Sequence, residues 1–146
     1  MTTTPNDELM FYNISQNTAK PITLVENSVS AGFPSPAESY IEGEIDLNSL
    51  LIKNPPATFM VRVAGDSMIN AGIFPDCILI VDKSIEAKNK DIIIAILDNE
   101  FTVKRVFFEK DHIVLFPENK NYKPIIVTEE NNFEVWGVVT NVIHKL

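Results

Sequence analysis

Asp91-Ile92-Ile93-Ile94-Ala95-Ile96-Leu97-Asp98-Asn99-Glu100-Phe101-Thr102-Val103-Lys104-Arg105-Val106-Phe107-Phe108 decides how this 146-residue chain folds. Two runs rich in Val, Ile and Phe flank Asp98-Asn99, a dipeptide suited to the tight turn of a hairpin. The reading is a strand over Asp91–Leu97 and another over Glu100–Phe108. Working outward, the same residue types with Gly, Pro, Asn and Asp between them predict strands at Phe59–Ala64, Cys77–Asp82, His112–Pro117, Pro124–Thr128 and Phe133–Ile143. So many short strands in the C-terminal two-thirds point to a mostly β, curved antiparallel fold. One short helix is expected: Asp46 can cap it, Leu47, Leu50 and Leu51 fall on one face, and Asn54-Pro55-Pro56 stops it.

Residues 1–31 read differently. Thr2-Thr3-Thr4-Pro5, Asn13, Ser15, Asn17 and Asn27-Ser28 separate isolated apolar residues, with no sustained period of two or 3.6. This is the pattern of a flexible N-terminal arm, with a short packed strand at Ile22–Val25 as the alternative. Gly32-Phe33-Pro34-Ser35-Pro36-Ala37-Glu38-Ser39-Tyr40 then reads as an extended linker.

Composition narrows the classes. The chain is 45% hydrophobic and 22% charged, with a mean hydropathy of +0.06, which is globular and excludes a wholly disordered protein. The longest clean apolar run, Ile92–Leu97, is too short to cross a bilayer, and the N-terminus lacks the basic and apolar regions of an export signal. No membrane partner is expected, and the expected location is cytoplasmic. Twelve lysines and arginines stand against 20 acids, a net charge of −8. Tight direct DNA binding needs clustered cations and is not expected; a protein partner would have to carry the chain to DNA. Cys77 is single, so it makes no internal disulfide and reads as a core residue. His112 and His144 have no His, Cys or Asp at ligand spacing, so no metal and no cofactor is expected. Trp136 reads as packing, or as a dimer contact if exposed.

One turn stands apart. Gly65-Asp66-Ser67-Met68 follows a strand, so the Ser67 hydroxyl can project from the sheet. Taken alone, the turn reads as structural, with an Asx turn at Asp66 and a cap at Ser67. Strand alternation puts Thr102, Lys104, Val106 and Phe108 on one face. Lys104 is then either a lysine snorkelling to the sheet edge or a desolvated amine. Burial disfavours the ammonium form, and a neutral lysine can take a serine's proton. Arg105 cannot substitute, because a guanidinium stays protonated.

Gly65-Asp66-Ser67-Met68, with Lys104 in Glu100-Phe101-Thr102-Val103-Lys104, resembles the LexA/UmuD family of self-cleaving serine–lysine peptidases. Gly32-Phe33-Pro34-Ser35-Pro36-Ala37, Ile45-Asp46-Leu47-Asn48, Leu50-Leu51-Ile52, Leu79-Ile80-Val81-Asp82 and Gly137-Val138-Val139 extend the likeness from Ala31 to the end, toward the UmuD-type members. The resemblance implies that Ser67 is the nucleophile, that Lys104 is the general base, and that the bond cut is Ala31–Gly32. The backbone N–H of Ser67 is the expected oxyanion donor. Ala31 stands before the glycine, as in LexA-like repressors, where the best-known UmuD-type member carries cysteine; both are small. The implied domains are 1–31, an arm removed by self-cleavage, and 32–146, a peptidase-like β domain.

The implied partners are a second copy in a homodimer, the RecA–single-stranded DNA filament formed after DNA damage, and a UmuC-type translesion polymerase. The implied setting is the SOS response, in which the product serves an error-prone polymerase. A repressor's helical DNA-binding domain does not fit into 31 residues of this composition. Two alternatives stay open: a non-catalytic dimeric regulatory module binding polymerase or RecA, and a LexA- or phage-type relative without a DNA-binding domain.

Overall fold

The structure, a computed structural model, describes residues 9–14, 21–25, 31–32 and 42–146. It divides into two units, one from residues 1–14 and 54–146 and the other from residues 15–53. Expectations for residues 33–40, most of the linker, fall outside the described residues.

Within the described residues, the chain order is β1 (Leu9–Asn13), β2 (Pro21–Val25), β3 (Glu42–Asp46), α1 (Leu47–Leu51), β4 (Thr58–Val63), β5 (Ile78–Asp82), β6 (Ile92–Leu97), β7 (Glu100–Phe108), β8 (Ile113–Phe116), β9 (Ile125–Val127) and β10 (Phe133–Ile143). The mostly β antiparallel fold with one short helix is therefore present, and the seven expected strands appear as β4 to β10. The ends move inward by a residue in several of them, as Pro117 and Pro124 illustrate beside β8 and β9. The N-terminal region holds more regular structure than its sequence pattern suggests. β2 covers the alternative strand at Ile22–Val25, whereas β1 had no sequence signal.

In the smaller unit β2 and β3 pair antiparallel, from Pro21 opposite Asp46 to Val25 opposite Glu42. Helix α1 follows, with the Asp46 carboxylate accepting the Asn48 N–H at 3.1 Å and the Ser49 hydroxyl at 3.0 Å. That cap satisfies one of the amides that a helix start leaves without an intrahelical partner.

The larger unit is one antiparallel sheet in the order β1-β4-β5-β10-β6-β7-β8-β9. The β6–β7 hairpin turns at Asp98 and Asn99, whose φ values of 47° and 67° are those of a tight hairpin turn. Five places separate β1 from β7, about 24 Å in a flat sheet. Yet the rings of Phe11 on β1 and Phe101 on β7 lie 4.8 Å apart. The sheet must curl back on itself.

β10 shows how. Its register shifts between Val135 and Gly137 against β6, and between Val139 and Asn141 against β5. Such irregularities bend a strand and deepen its twist. Gly137 permits the bend at close range, since a Cβ there would meet Val81 Cγ1 at 2.5 Å. The concave side holds Val61, Met68, Ile73, Leu79, Val81, Ile94 and Val103, all buried. A second cluster around Ile93, Val106, Leu115 and Val138 packs the other face. Among the described residues, no helix is long and apolar enough to cross a membrane.

Candidate active site

The turn that leaves β4 carries Gly65, Asp66, Ser67 and Met68 into a short 3₁₀ helix, Ile69–Ala71, closed by Gly72 at φ 80°. The positive φ is one that glycine adopts without strain. Met68, the residue after Ser67, is buried in the core and anchors the turn there. Lys104 comes from the middle of β7, and the curl lays it beside the turn.

The Lys104 Nζ stands 3.2 Å from Ser67 Oγ. It also donates to Thr102 Oγ1 at 2.7 Å and to the Val103 carbonyl at 3.1 Å. Ser67 is 6% exposed and Lys104 4%. Such contacts fix the amine's direction, so the long side chain keeps little of its rotamer freedom. Thr102 lies two residues before Lys104 on the same strand face, which alternation indicates. Its role as a hydrogen-bond partner had no sequence signal.

A second tier holds the turn from the loop after β8. The Asn119 amide donates to the Asp66 carbonyl at 2.9 Å, and the Tyr122 hydroxyl donates to the Asp66 carboxylate. The Asn70 N–H donates to the Glu118 carbonyl at 2.8 Å, and the Glu118 N–H meets Met68 Sδ at 3.3 Å. Glu118 is tied in turn to Arg105, with Nε 2.6 Å from its carboxylate. These partners lie roughly fifty residues beyond the turn, and nothing in their spacing announces them.

Ser67 lines a recess of about 10 Å³ with Leu9, Val63, Gly65, Met68, Thr102 and Val103. That is close to the room one water needs. Ser67 and Lys104 are thus brought together, as the family resemblance implied. Ala31 and Gly32 lie in the other unit, both exposed, in a bend.

The remaining candidates fall elsewhere. Cys77 is buried, with Sγ 3.2 Å from His144 Nδ1, and His144 packs on the Phe74 ring. His112 Nδ1 is 2.7 Å from the Asp111 carboxylate, and that contact holds the carboxylate below its ordinary pKa. Trp136 packs against Phe11 and Phe59, with the Lys83 ammonium 4.7 Å from its ring centre.

Sequence comparison gives the same direction. A profile of the family described as "Peptidase S24-like" matches residues 23–140. Protein SamA of Salmonella typhimurium is 48% identical over 115 residues, 79% of this chain and 79% of its own. Protein MucA of Escherichia coli is 40% identical over 114 residues, 77% of each chain. The LexA repressor of Caldicellulosiruptor saccharolyticus is 46% identical over 118 residues, 81% of this chain and 56% of the repressor. The chain belongs to the peptidase S24-like family, as a UmuD-type member of the LexA/UmuD group.

Proposed function

We propose that Ser67 and Lys104 form a serine–lysine dyad that cuts the chain's own Ala31–Gly32 bond. The observation that carries this reading is the buried 3.2 Å approach of Nζ to Oγ. Burial makes the ammonium form costly, which favours an uncharged amine able to accept the hydroxyl proton. Thr102 Oγ1 and the Val103 carbonyl can each take an N–H of the neutral amine, leaving its lone pair for Ser67.

In the proposed reaction Ser67 Oγ bonds to the Ala31 carbonyl carbon while its proton passes to Lys104 Nζ. The backbone N–H of Ser67 is the proposed donor to the oxyanion. The intermediate collapses with loss of the Gly32 nitrogen, which receives the proton from Lys104. Water then attacks the Ala31 ester, again giving a proton to Lys104, and Ser67 leaves with its proton restored. The products are residues 1–31 with a free carboxylate at Ala31, and residues 32–146 with a free amine at Gly32. Small side chains at Ala31 and Gly32 suit close approach of a backbone carbonyl to a serine.

The proposed setting follows the UmuD-type relationship: a cytoplasmic homodimer, stimulated by RecA–single-stranded DNA filaments in the SOS response, whose product 32–146 serves a UmuC-type error-prone translesion polymerase. Incubation of the purified chain with activated filaments, read by intact mass, tests this. The expected result is a fragment beginning at Gly32 from the wild type and none from Ser67→Ala. A wild type that stays whole with filaments and at alkaline pH would end the peptidase reading and leave the non-catalytic regulatory module.

A further inference from the structure

β1 occupies the edge of β4 in full register, with Leu9, Phe11 and Asn13 opposite Val63, Val61 and Phe59. Half-buried Leu9 and the more exposed Phe11, on one face of the strand, do different things. Leu9 packs on the buried cluster of Val63, Met68 and Val103 and forms a wall of the recess that Ser67 lines. Phe11 sits among aromatic rings, 4.8 Å from Phe101 and 4.9 Å from Trp136 between centroids. On the opposite face Met10 is exposed and Tyr12 lies near the Arg62 guanidinium. The edge of β4 thus meets a strand whose apolar anchors stand two residues apart, the arrangement by which a sheet edge reads an extended peptide.

We propose that the β4 edge, with the Ser67 recess and the Phe101–Trp136 wall, is a binding site for an extended peptide with apolar side chains at alternate positions. Its resident ligand is this chain's own segment Leu9–Asn13. While seated, that strand covers Ser67, and self-cleavage proceeds from the fraction of molecules in which it has left. The covering role rests on the proposed self-cleavage; the strand site does not. A recess of about 10 Å³ has no space for a substrate side chain alongside Leu9. Held by one five-residue strand at a sheet edge, the segment is poised to exchange.

The test uses full-length protein and two readouts. Trp136 is the single tryptophan, so its emission reports the seating of Phe11 directly. In a Ser67→Ala background, which separates binding from cutting, Leu9→Ala with Phe11→Ala is expected to shift Trp136 emission. A synthetic peptide of residues 7–15 added in trans is expected to restore it, and a scrambled peptide is not. Met10→Ser, on the outer face, is expected to match the parent and controls for the substitution of β1 itself. Emission unchanged by the double substitution, or indifferent to the peptide, would overturn the strand site.

With Ser67 intact, the double variant is expected to self-cleave about tenfold faster, and the peptide to slow it again. Slower cutting by the variant would overturn the covering role and make the segment a guide. If neither wild type nor variant cuts, the self-cleavage reading falls and the covering role with it, while the emission data still decide the strand site.

Discussion

Among the described residues, two pairs of side chains hold a nucleophile-class atom 3.2 Å from a basic nitrogen: Ser67 with Lys104, and Cys77 with His144. By intrinsic chemistry the thiol and imidazole are the readier pair near neutral pH. The two pairs differ in their surroundings. Cys77 is 1% exposed and also takes the Phe74 N–H at 3.4 Å, so its sulfur is enclosed and partnered. It lies just before β5 and His144 just after β10, and these strands are neighbours; the contact fastens two adjacent ends. Ser67 follows β4, and Lys104 is on β7, four places away in the sheet. That approach exists because the sheet curls. The Ser67–Lys104 contact therefore joins distant strands of the sheet, and the Cys77–His144 contact joins neighbours.

The contrast breaks most visibly at the two pairs themselves. Ser67→Ala is expected to abolish self-cleavage, and Lys104→Ala to slow it by about 10²–10⁴-fold, the usual scale for a lost general base. Cys77→Ala and His144→Ala are expected to leave the cutting rate near wild type. Gel or mass quantitation of fragment 32–146 over time checks all four. Loss of cutting on removing Cys77 would make the second pair part of the chemistry.

Gly137→Ala comes next. A Cβ 2.5 Å from Val81 Cγ1 forces β10 and β5 apart where the sheet bends. The expected cost is about 1–3 kcal/mol in chemical denaturation. Because the serine–lysine approach depends on the curl, cutting is expected to fall more than the fraction unfolded explains. A loss of activity that merely tracks unfolding would mean the curl matters less than claimed.

Cys77→Ala, neutral for cutting, is expected to cost about 1–2 kcal/mol of stability through a lost buried contact. A smaller effect concerns Asp82. Its burial pushes the carboxyl pKa up, but the Asn54 amide, the Ser84 hydroxyl and the Ser84 N–H outweigh that and hold it below 3.8. A carboxyl whose pKa is depressed by folding stabilises the protein above its unfolded pKa, and that contribution fades as pH falls through the folded one. Asp82→Asn is expected to cost about 1 kcal/mol at pH 7. The gap to wild type should narrow below about pH 4, as urea melts across pH would show.

The strands from β4 onward were legible because each is a β-branched or aromatic run ended by turn residues. Asp98-Asn99 also identified its own hairpin. Helix α1 was legible from Asp46 and its three leucines. β1 was not, because Leu9-Met10-Phe11-Tyr12 becomes a strand by pairing with β4, about fifty residues away, with Phe11 packing on Phe101 and Trp136, farther still in sequence. Alternation placed Thr102 beside Lys104 on one face. The pairing of Lys104 with Ser67 came from family resemblance, since strand periodicity says nothing of curvature. Asn119 and Tyr122 escaped notice for the same reason: a loop brings them to Asp66, and loops carry no period.

The central claim is that Lys104, uncharged, takes the Ser67 proton. Its most direct test is intact-mass analysis of the purified chain incubated without partners over a pH series. The account predicts a fragment starting at Gly32 whose rate of appearance rises with pH in the wild type and is absent for Ser67→Ala and strongly reduced for Lys104→Ala at every pH. A rate equal to wild type in Lys104→Ala would contradict it.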